Sequence, residues 1–323
     1  MSALLELIDV ARHYRVRGGV LGLSRGLVRA VDGVSLTVER GESLGLVGES
    51  GCGKSTLARC ILGLEPLSRG AVRFDGRALS DWPERELRRQ IQMIFQDPYS
   101  SLNPRMRVGA IVGEPLAIHK VGTRGEREEK ALALLRTVGL DADLARRYPH
   151  QLSGGQRQRV AVARALALEP ALVVCDEPVS ALDVSIQAQV LLLLQDLRER
   201  LGLTYLFISH DLAVVGQVCD RIAVMYLGRI VETGPALELI AAPAHPYTRA
   251  LLSAVPVPEP GARQNREELS GELPSPLNPP PGCPFHPRCP QVMDVCRKEF
   301  PPAFSAGNQR VAHCWLHDPQ RTS

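Results

Sequence analysis

The segment Gly48-Glu-Ser-Gly-Cys-Gly-Lys-Ser-Thr56 decides the fold of this chain. It matches the phosphate-loop pattern GxxxxGK[ST] and lies where that pattern requires, between the apolar run Leu44–Val47 and an apolar helix predicted to start near Ser55. Gly48, Gly51 and Gly53 permit a tight turn and let backbone N–H groups approach a polyphosphate, while the helix N-terminus adds partial positive charge. A glycine turn with a chance Gly-Lys-Ser is the alternative interpretation, and the flanking strand and helix argue against it.

The last three residues of this segment carry the chemistry of a nucleotide and metal site. Lys54 is predicted to reach the β and γ phosphates of a nucleotide. Ser55 offers its hydroxyl to Mg²⁺, and Thr56 can bond to a nearer phosphate. The segment therefore predicts a site for ATP and Mg²⁺.

A second apolar run, Leu172–Cys175, is followed directly by the carboxylates of Asp176 and Glu177. Parallel strands place ligands at their carboxyl ends, so Asp176 is predicted to hold Mg²⁺ through water. Glu177 is positioned to polarise the attacking water as a general base. An ordinary acidic loop would look the same in isolation, but next to a phosphate loop the two carboxylates predict hydrolysis.

Chain length, net charge and the N-terminal segment restrict the classes of protein to which this chain can belong. At 323 residues the chain exceeds one ordinary domain, so a full catalytic domain with an appendage is expected. Its net charge of +3 is too balanced for the basic face of a nucleic-acid binder, and no such partner is predicted. The start MSALLELID has no basic region typical of a secretory signal, and no apolar run reaches the length of a spanning helix. These features predict a soluble, intracellular chain.

The order of strand-like and helix-like segments is typical of an α/β fold with a mainly parallel sheet. The stretch from about Asp97 to Ala165 is helical in character and predicts a helical subdomain inserted into the sheet domain. Proline-rich segments beginning at Pro256 predict a linker and a small terminal module. Further strands are predicted at Ile91–Phe95 and Tyr205–Ile208, and helices at Arg59–Leu64, Glu126–Val138, Gln158–Leu168 and Ala188–Leu201.

The segment Leu152-Ser-Gly-Gly-Gln156 precedes a helical run and has two interpretations. Ser153 and Gln156 fit a capping box, which would make this an ordinary helix start. The adjacent Gly154 and Gly155 weaken a helix unless a close backbone approach is needed, which favours a second phosphate-binding helix N-terminus.

Together these motifs resemble the ATP-binding-cassette (ABC) ATPases. LSGGQ, the phosphate loop, Gln96, the Asp176–Pro178 and Ser180–Asp183 segments and His210 occur in the order of that family, over about residues 4 to 255. The resemblance implies a P-loop NTPase fold with an antiparallel β subdomain, two cassettes stacked head to tail, and an ATP site completed by the partner's LSGGQ. It implies a domain at 1–255 with its helical insertion near 97–165, and a terminal module at 256–323. The resemblance also implies that Gln96 contacts Mg²⁺ and water, and that His210 contacts the γ-phosphate. It implies that Asp183 contacts the dimer partner and that Tyr14 stacks on adenine, although a place in the core stays open for Tyr14.

Three longer segments resemble the ATPases of oligopeptide and dipeptide importers in particular: GGVLGLSRGLVRAVDGVSL, FQDPYSSLNPRMRVG and PAHPYTRALLSAVP. That resemblance implies separate permease subunits, a sister ATPase in a heterodimer, an extracytoplasmic substrate-binding protein, and a peripheral position on the cytoplasmic face of the membrane. A cassette ATPase acting on nucleic acid or ribosomes is the alternative. Such proteins usually have two cassettes in one chain, a long coiled coil or a basic surface, and the sequence shows none of these.

Four of the eight cysteines crowd into the proline-rich tail, which has few apolar residues for a core of its own. A bound metal could supply the missing stability. The segment resembles the terminal module of peptide-importer ATPases, in which four cysteines can ligate a [4Fe–4S] cluster. Structural Zn²⁺ and free thiols stay open, as does replacement of a cysteine ligand by His286 or His313. The candidate ligands are Cys283, Cys289, Cys296 and Cys314.

Overall fold

The computed structural model describes residues 3–17, 24–254 and 272–320 of the chain. The chain divides into two compact units, each assembled from segments distant in sequence. The helical unit comprises Glu39–Glu42 and Leu79–Phe207, and the loop unit comprises Ser2–Val38, Ser43–Ala78 and Ile208–Ser323. Residues 255–271, which include the predicted proline-rich linker, and residues 18–23 lie outside the described part.

Strands and helices alternate along most of the chain. The strands are β1 Ala3–Arg17, β2 Ser24–Glu39, β3 Ser43–Val47, β4 Arg69–Phe74, β5 Arg77–Ala78, β6 Ile91–Ile94, β7 Leu172–Asp176, β8 Thr204–Ser209, β9 Arg221–Tyr226, β10 Arg229–Pro235, β11 Phe304–Ser305 and β12 Val311–Ala312. The helices are α1 Lys54–Ile61, α2 Glu84–Gln90, α3 Pro98–Ser101, α4 Val108–Ile118, α5 Arg124–Thr137, α6 Gly154–Leu166, α7 Val184–Leu201, α8 Leu212–Val218, α9 Ala236–Ala241 and α10 Pro246–Ser253.

The loop unit contains two strand arrangements. One is a sheet in the order β2-β1-β4-β5, in which β1 pairs antiparallel with β4, and β4 with β5. In the other, β3 pairs in parallel with β9, and the antiparallel strands β10, β12 and β11 follow in that order. Every residue of β3 is buried, as expected for a parallel strand that is covered on both faces. This strand delivers the chain into the phosphate loop.

The helical unit places two strand ends side by side. β6 and β7 pair in parallel, with Ile94 opposite Cys175, so Gln96 and Glu177 follow at the same edge. Helices α4, α5 and α6 lie between these strands in sequence and pack on one another. Thr123 starts α5 with a complete capping box, which explains why this polar helix begins where it does.

The predicted α/β fold with a parallel core, an antiparallel β subdomain and an inserted helical subdomain is confirmed. Within the described residues, no strand lies between Asp97 and Ala165. The predicted boundary near residue 255 and the subdomain bounds remain predictions. Element ends were less accurate: the helix predicted to start near Ser55 and to include Arg59–Leu64 is α1, which begins at Lys54 and ends at Ile61.

The other predicted helices also begin ahead of their expected first residue. α5 starts at Arg124, α6 at Gly154 and α7 at Val184. The predicted strand Ile91–Phe95 ends at Ile94, and Phe95 is exposed. Each early start follows a cap residue or glycine, which apolar periodicity does not detect.

Candidate functional site

The phosphate loop leaves β3 and turns into α1 through glycines in left-handed backbone conformations. Gly53, the N-cap of α1, has φ 110°, and a Cβ placed on it would lie 2.0 Å from the carbonyl oxygen of Ala30. Gly51 has φ 82°, but a Cβ there would meet no atom within 4 Å. Backbone conformation therefore requires glycine at both positions, and space requires it only at Gly53.

Lys54 lies buried at the first turn of α1, with 5% of its surface exposed. Its Nζ donates to the carbonyl oxygens of Gly48, at 2.6 Å, and of Glu49, at 3.0 Å. The ammonium group therefore lies inside the curve of the loop, next to the N-terminal N–H groups of α1. Ser55 is exposed and Thr56 half-buried in the same turn.

The predicted catalytic carboxylates lie in the helical unit. Asp176 is the last residue of β7, and Glu177 follows with φ 45°, an unusual left-handed conformation for a residue with a side chain. The Nε2 of Gln96 donates to Oε2 of Glu177 at 2.8 Å. Because β6 and β7 are parallel neighbours, two residues separated by 81 positions meet at one edge. Held together in this way, the Gln96 amide and the Glu177 carboxylate can orient a water molecule that lies next to them.

LSGGQ forms the start of α6, and both halves of the predicted capping box are present. The Ser153 hydroxyl accepts from Gln156 N–H at 3.3 Å, and the Gln156 side chain accepts from Ser153 N–H at 3.0 Å. Packing against α7 also favours glycine at position 155, since a Cβ there would lie 2.7 Å from Cγ2 of Ile186. The local interpretation therefore accounts for the fold of this segment, and its role toward a partner's nucleotide remains a prediction.

The remaining predicted residues occupy varied environments. His210 is exposed directly after β8, and the next residue, Asp211, caps α8 by accepting from two of its backbone N–H groups. Asp183 is exposed at the N-cap position of α7. Tyr14 is half-buried in β1, and the guanidinium of Arg12 lies 4.4 Å above its ring. One face of that ring is thus already covered by a cation.

The four terminal cysteines line one small cavity in the loop unit, together with Phe285, His286 and other residues. Burial, with a further contribution from the neighbouring thiols, raises the pKa of Cys283 to about 12 and that of Cys314 to about 11. A sequence stretch of 32 residues thus brings four sulfur donors to one place. That is the donor set expected of an iron–sulfur cluster or a soft metal ion.

The side chains around the cavity do not form a finished metal site, either for zinc or for an iron–sulfur cluster. Among the residues that the structure describes, no group of three or more His, Cys, Asp or Glu side chains is placed to hold a metal ion. His286 lines the cavity and its Nδ1 lies 2.9 Å from the Cys283 carbonyl oxygen, while Nδ1 of His313 lies 3.1 Å from the carbonyl oxygen of Pro301.

Sequence patterns missed one feature of this site. The carboxylate of Glu49, in the phosphate loop, accepts two hydrogen bonds from Arg288, which adjoins Cys289 in the terminal module. The two residues are 239 positions apart, and neither belongs to a motif that pairs them. Only their opposite charge could have suggested a contact, and the chain offers many such pairs.

Comparison with known proteins identifies the family. Residues 31–180 match the family model described as ABC transporter, and residues 231–296 match that of the oligopeptide/dipeptide transporter C-terminal region. The chain is 50% identical to the oligopeptide transport ATP-binding protein AppF of Bacillus subtilis over 98% of each chain. It is 51% identical to the dipeptide transport ATP-binding protein DppF of Escherichia coli, over 98% of this chain and 97% of that protein.

The chain belongs to the ABC transporter ATPases of the oligopeptide/dipeptide family. Solved structures of ABC cassettes have the same fold. A dimeric post-hydrolysis structure of the cassette MJ0796 bound to ADP and Pi is 31% identical, covers 72% of this chain and 98% of its own, and gives a TM-score of 0.63. CbiO1 of Clostridium perfringens, part of the transporter complex cbiONQ, is 28% identical with a TM-score of 0.65, over 75% of this chain and 92% of its own.

Proposed function

We propose that this ABC ATPase binds and hydrolyses ATP to power uptake of oligopeptides or dipeptides through separate permease subunits. The observation that carries the proposal is the combination of an intact phosphate loop with the Gln96–Glu177 pair, 2.8 Å apart at the end of two parallel strands. The C-terminal family match over residues 231–296 supports peptide cargo. AppF and DppF carry oligopeptide and dipeptide transport in their names.

The residues of each half-site have separate tasks. Lys54 and the N-terminus of α1 hold the β and γ phosphates, with Gly48, Gly51, Gly53 and Thr56 shaping the loop. Ser55, Asp176 and Gln96 would hold Mg²⁺, which supplies charge neutralisation at the transferred phosphoryl group. Glu177 accepts a proton from the attacking water, Gln96 orients that carboxylate, and His210 contacts the γ-phosphate. Tyr14 stacks on adenine with the ring face that Arg12 does not cover.

A second cassette completes each ATP site in this proposal. Ser153, Gly154, Gly155 and Gln156 lie at a helix N-terminus, which is suited to a phosphate supplied by a partner chain. Asp183 is exposed at the start of α7 and can contact that partner. The partner is a sister ATPase subunit in a heterodimer, so one chain alone hydrolyses ATP slowly.

The helical unit offers a groove for the permease. A cavity of about 720 Å³ lies between α4, α5 and the 3-10 turn Ala142–Arg146. Small residues of α4, including Gly109 and Gly113, form one wall, so a helix can approach closely. Four arginines line it, Arg107, Arg124, Arg127 and Arg146, against two glutamates, Glu114 and Glu128, the latter paired with Arg124 at 3.0 Å. The excess of positive charge favours an acidic segment. Insertion of a cytoplasmic permease helix here would transmit closure of the ATP sites.

The proposed position of the chain at the membrane depends on its partnership with the permease. In the described part of the chain, no helix is both long and apolar enough to span a membrane. Attachment to the cytoplasmic face therefore depends on the permease, and the extracytoplasmic substrate-binding protein acts only through that permease.

Reconstitution with the permease and sister subunit tests the proposal. Glu177→Gln should keep ATP binding but slow hydrolysis and peptide uptake by about 10²- to 10⁴-fold, because a general base is lost. Glu199→Gln, an exposed change of the same kind in α7, is the matched control and should leave both rates unchanged. Peptide uptake that continues at the native rate with Glu177→Gln would sink the proposal.

We also propose that Cys283, Cys289, Cys296 and Cys314 hold a [4Fe–4S] cluster as a structural group. Their convergence on one cavity supports this. Protein purified without oxygen should contain iron and acid-labile sulfide in equal amounts and show broad visible absorbance. Removing the iron should lower the melting temperature, since the module has little core of its own. Colourless protein with stoichiometric zinc would refute the assignment.

A further inference from the structure

Arg288 joins the terminal cysteine module to the phosphate loop. It is the last residue of the 3-10 turn His286–Arg288, and its side chain is only 5% exposed. Its Nη1 and Nη2 donate to the two carboxylate oxygens of Glu49, at 2.7 and 3.1 Å. A two-pronged contact of this kind fixes the orientation of both side chains, which a single hydrogen bond does not.

Glu49 is in turn joined to the lysine that contacts phosphate. Its carbonyl oxygen accepts from Lys54 Nζ at 3.0 Å, and its N–H donates to the Tyr247 hydroxyl at 2.8 Å. The Glu49 peptide is thereby held on both sides, while its side chain is held by Arg288. A movement of Glu49 would displace the carbonyl group against which the Lys54 ammonium rests.

The surroundings of Arg288 make this connection stiff. Tyr226, Tyr247 and Phe285 are almost fully buried, and their ring centroids lie 4.6 to 5.4 Å apart. The Arg288 guanidinium lies 6.0 Å from the Tyr226 ring centroid. The arginine, the tyrosine that binds Glu49 N–H, and the phenylalanine beside the cysteine cavity thus belong to one packed group.

We propose that Arg288 is a positioning residue for ATP, acting through Glu49. Its first effect is electrostatic: it neutralises and holds a carboxylate that would otherwise repel a polyphosphate in the adjoining loop. Its second effect is geometric, because the ion pair with the Glu49 carboxylate fixes the Glu49 peptide and hence the Lys54 ammonium, and this effect is lost when either charge is removed. The terminal module therefore contributes to nucleotide affinity through Arg288. This inference rests on the proposed ATP site and adds a residue to it.

The test measures binding of fluorescent ATP and ADP analogues with Mg²⁺ to the full chain, together with its melting temperature. Arg288→Met leaves the Glu49 charge unpaired, so the Kd for ATP should rise about tenfold or more. The Kd for ADP should rise less, because fewer phosphate charges meet the carboxylate. The Kd for ATP of Arg288→Lys should lie between those of the native chain and of Arg288→Met, since lysine keeps the positive charge but lacks the planar, two-pronged guanidinium.

Glu49→Gln separates this role from a purely structural one. In the double variant Glu49→Gln with Arg288→Met the offending charge is absent, so its affinity should match that of Glu49→Gln alone. Arg297→Met, an exposed change in the same module, is the matched control and should bind like the native chain. Where Arg288→Met fails to fold, the double variant still decides, because removing both charges leaves no buried ion unpaired.

Two outcomes overturn the inference. One is an Arg288→Met chain with a native melting curve and native ATP affinity, and the other is a double variant that binds ATP about tenfold more weakly than Glu49→Gln alone. A native chain that binds no Mg-ATP would instead refute the proposed function. The two failures are therefore distinguishable in one experiment.

Discussion

Alanine at Gly53 should damage ATP binding far more than alanine at Gly51, although both residues lie in the phosphate loop at positive φ. The angles are 110° and 82°, and a non-glycine residue in such conformations costs about 1–3 kcal/mol. At Gly51 that cost is the whole effect, because a Cβ meets nothing within 4 Å. Gly51→Ala should therefore lower the free energy of unfolding by about 1–3 kcal/mol and leave a loop of nearly native shape.

At Gly53 a steric cost is added. The Cβ would lie 2.0 Å from the Ala30 carbonyl oxygen, where real Cβ contacts essentially never fall under 3.0 Å. The obstacle is backbone, in β2, and cannot rotate away. The loop must therefore shift by about 1 Å, and a misplacement of that size near a reacting group costs about 10²-fold in rate. Crowding of a packed site adds about 1–3 kcal/mol to the loss of stability.

Calorimetric titration with Mg-ATP and thermal melting of both variants check this reasoning. We expect measurable ATP affinity in Gly51→Ala, and affinity at least about tenfold weaker in Gly53→Ala with the lower melting temperature. Equal affinities and equal melting temperatures in the two variants would refute the steric argument, since they would show that only the backbone conformation matters.

Three further predictions concern stability. Gly155→Ala should lower the free energy of unfolding by about 1–3 kcal/mol, because its Cβ would lie 2.7 Å from Ile186 Cγ2. In thermal melting, adding Ile186→Ala to that variant should recover most of the lost stability. Thr123→Ala removes the N-cap of α5 and should cost about 1 kcal/mol in chemical unfolding, whereas a loss below about 0.3 kcal/mol would contradict the capping role. Burial alone would raise the pKa of Asp32, but Arg229 at 2.7 Å and His13 at 3.1 Å lower it overall. The stabilisation is therefore present above the unfolded pKa of about 3.9 and lost as the pH falls through the folded value, so Asp32→Asn should lower the melting temperature at pH 7 and lose that effect in acid.

The parts of the site that sequence predicts are those built from neighbouring residues. The phosphate loop was recognisable because its glycines, its lysine and the apolar strand before it are contiguous. β7 was recognisable because a strand buried on both faces is a continuous apolar run. The pairing of Gln96 with Glu177 was not predicted, since parallel neighbours cannot be deduced from two separate strands.

Packing between distant segments explains what sequence did not predict. Apolar periodicity placed only Arg59–Leu64 in α1, and the predicted start near Ser55 came from the phosphate-loop motif, because the N-cap Gly53, with φ 110°, resembles a loop residue. The glycine pair of LSGGQ predicted a phosphate-binding helix start. The structure adds a steric requirement for glycine at position 155, because Ile186, 31 positions away, packs against it. No local pattern encodes either requirement.

The phosphate loop is a local motif in sequence, but distant parts of the chain fix its shape. Glu49 N–H donates to the hydroxyl of Tyr247 on α10, and the carbonyl of Cys52 accepts from Gly228 N–H at 2.8 Å. Arg288 holds the side chain of Glu49 from the terminal module. A loop that binds charge tightly must be rigid before the ligand arrives, because any ordering cost would be subtracted from affinity. The motif thus supplies the binding groups, while α10, the β9–β10 turn and the cysteine module supply the rigidity, which is why the terminal module belongs to the ATP site in function.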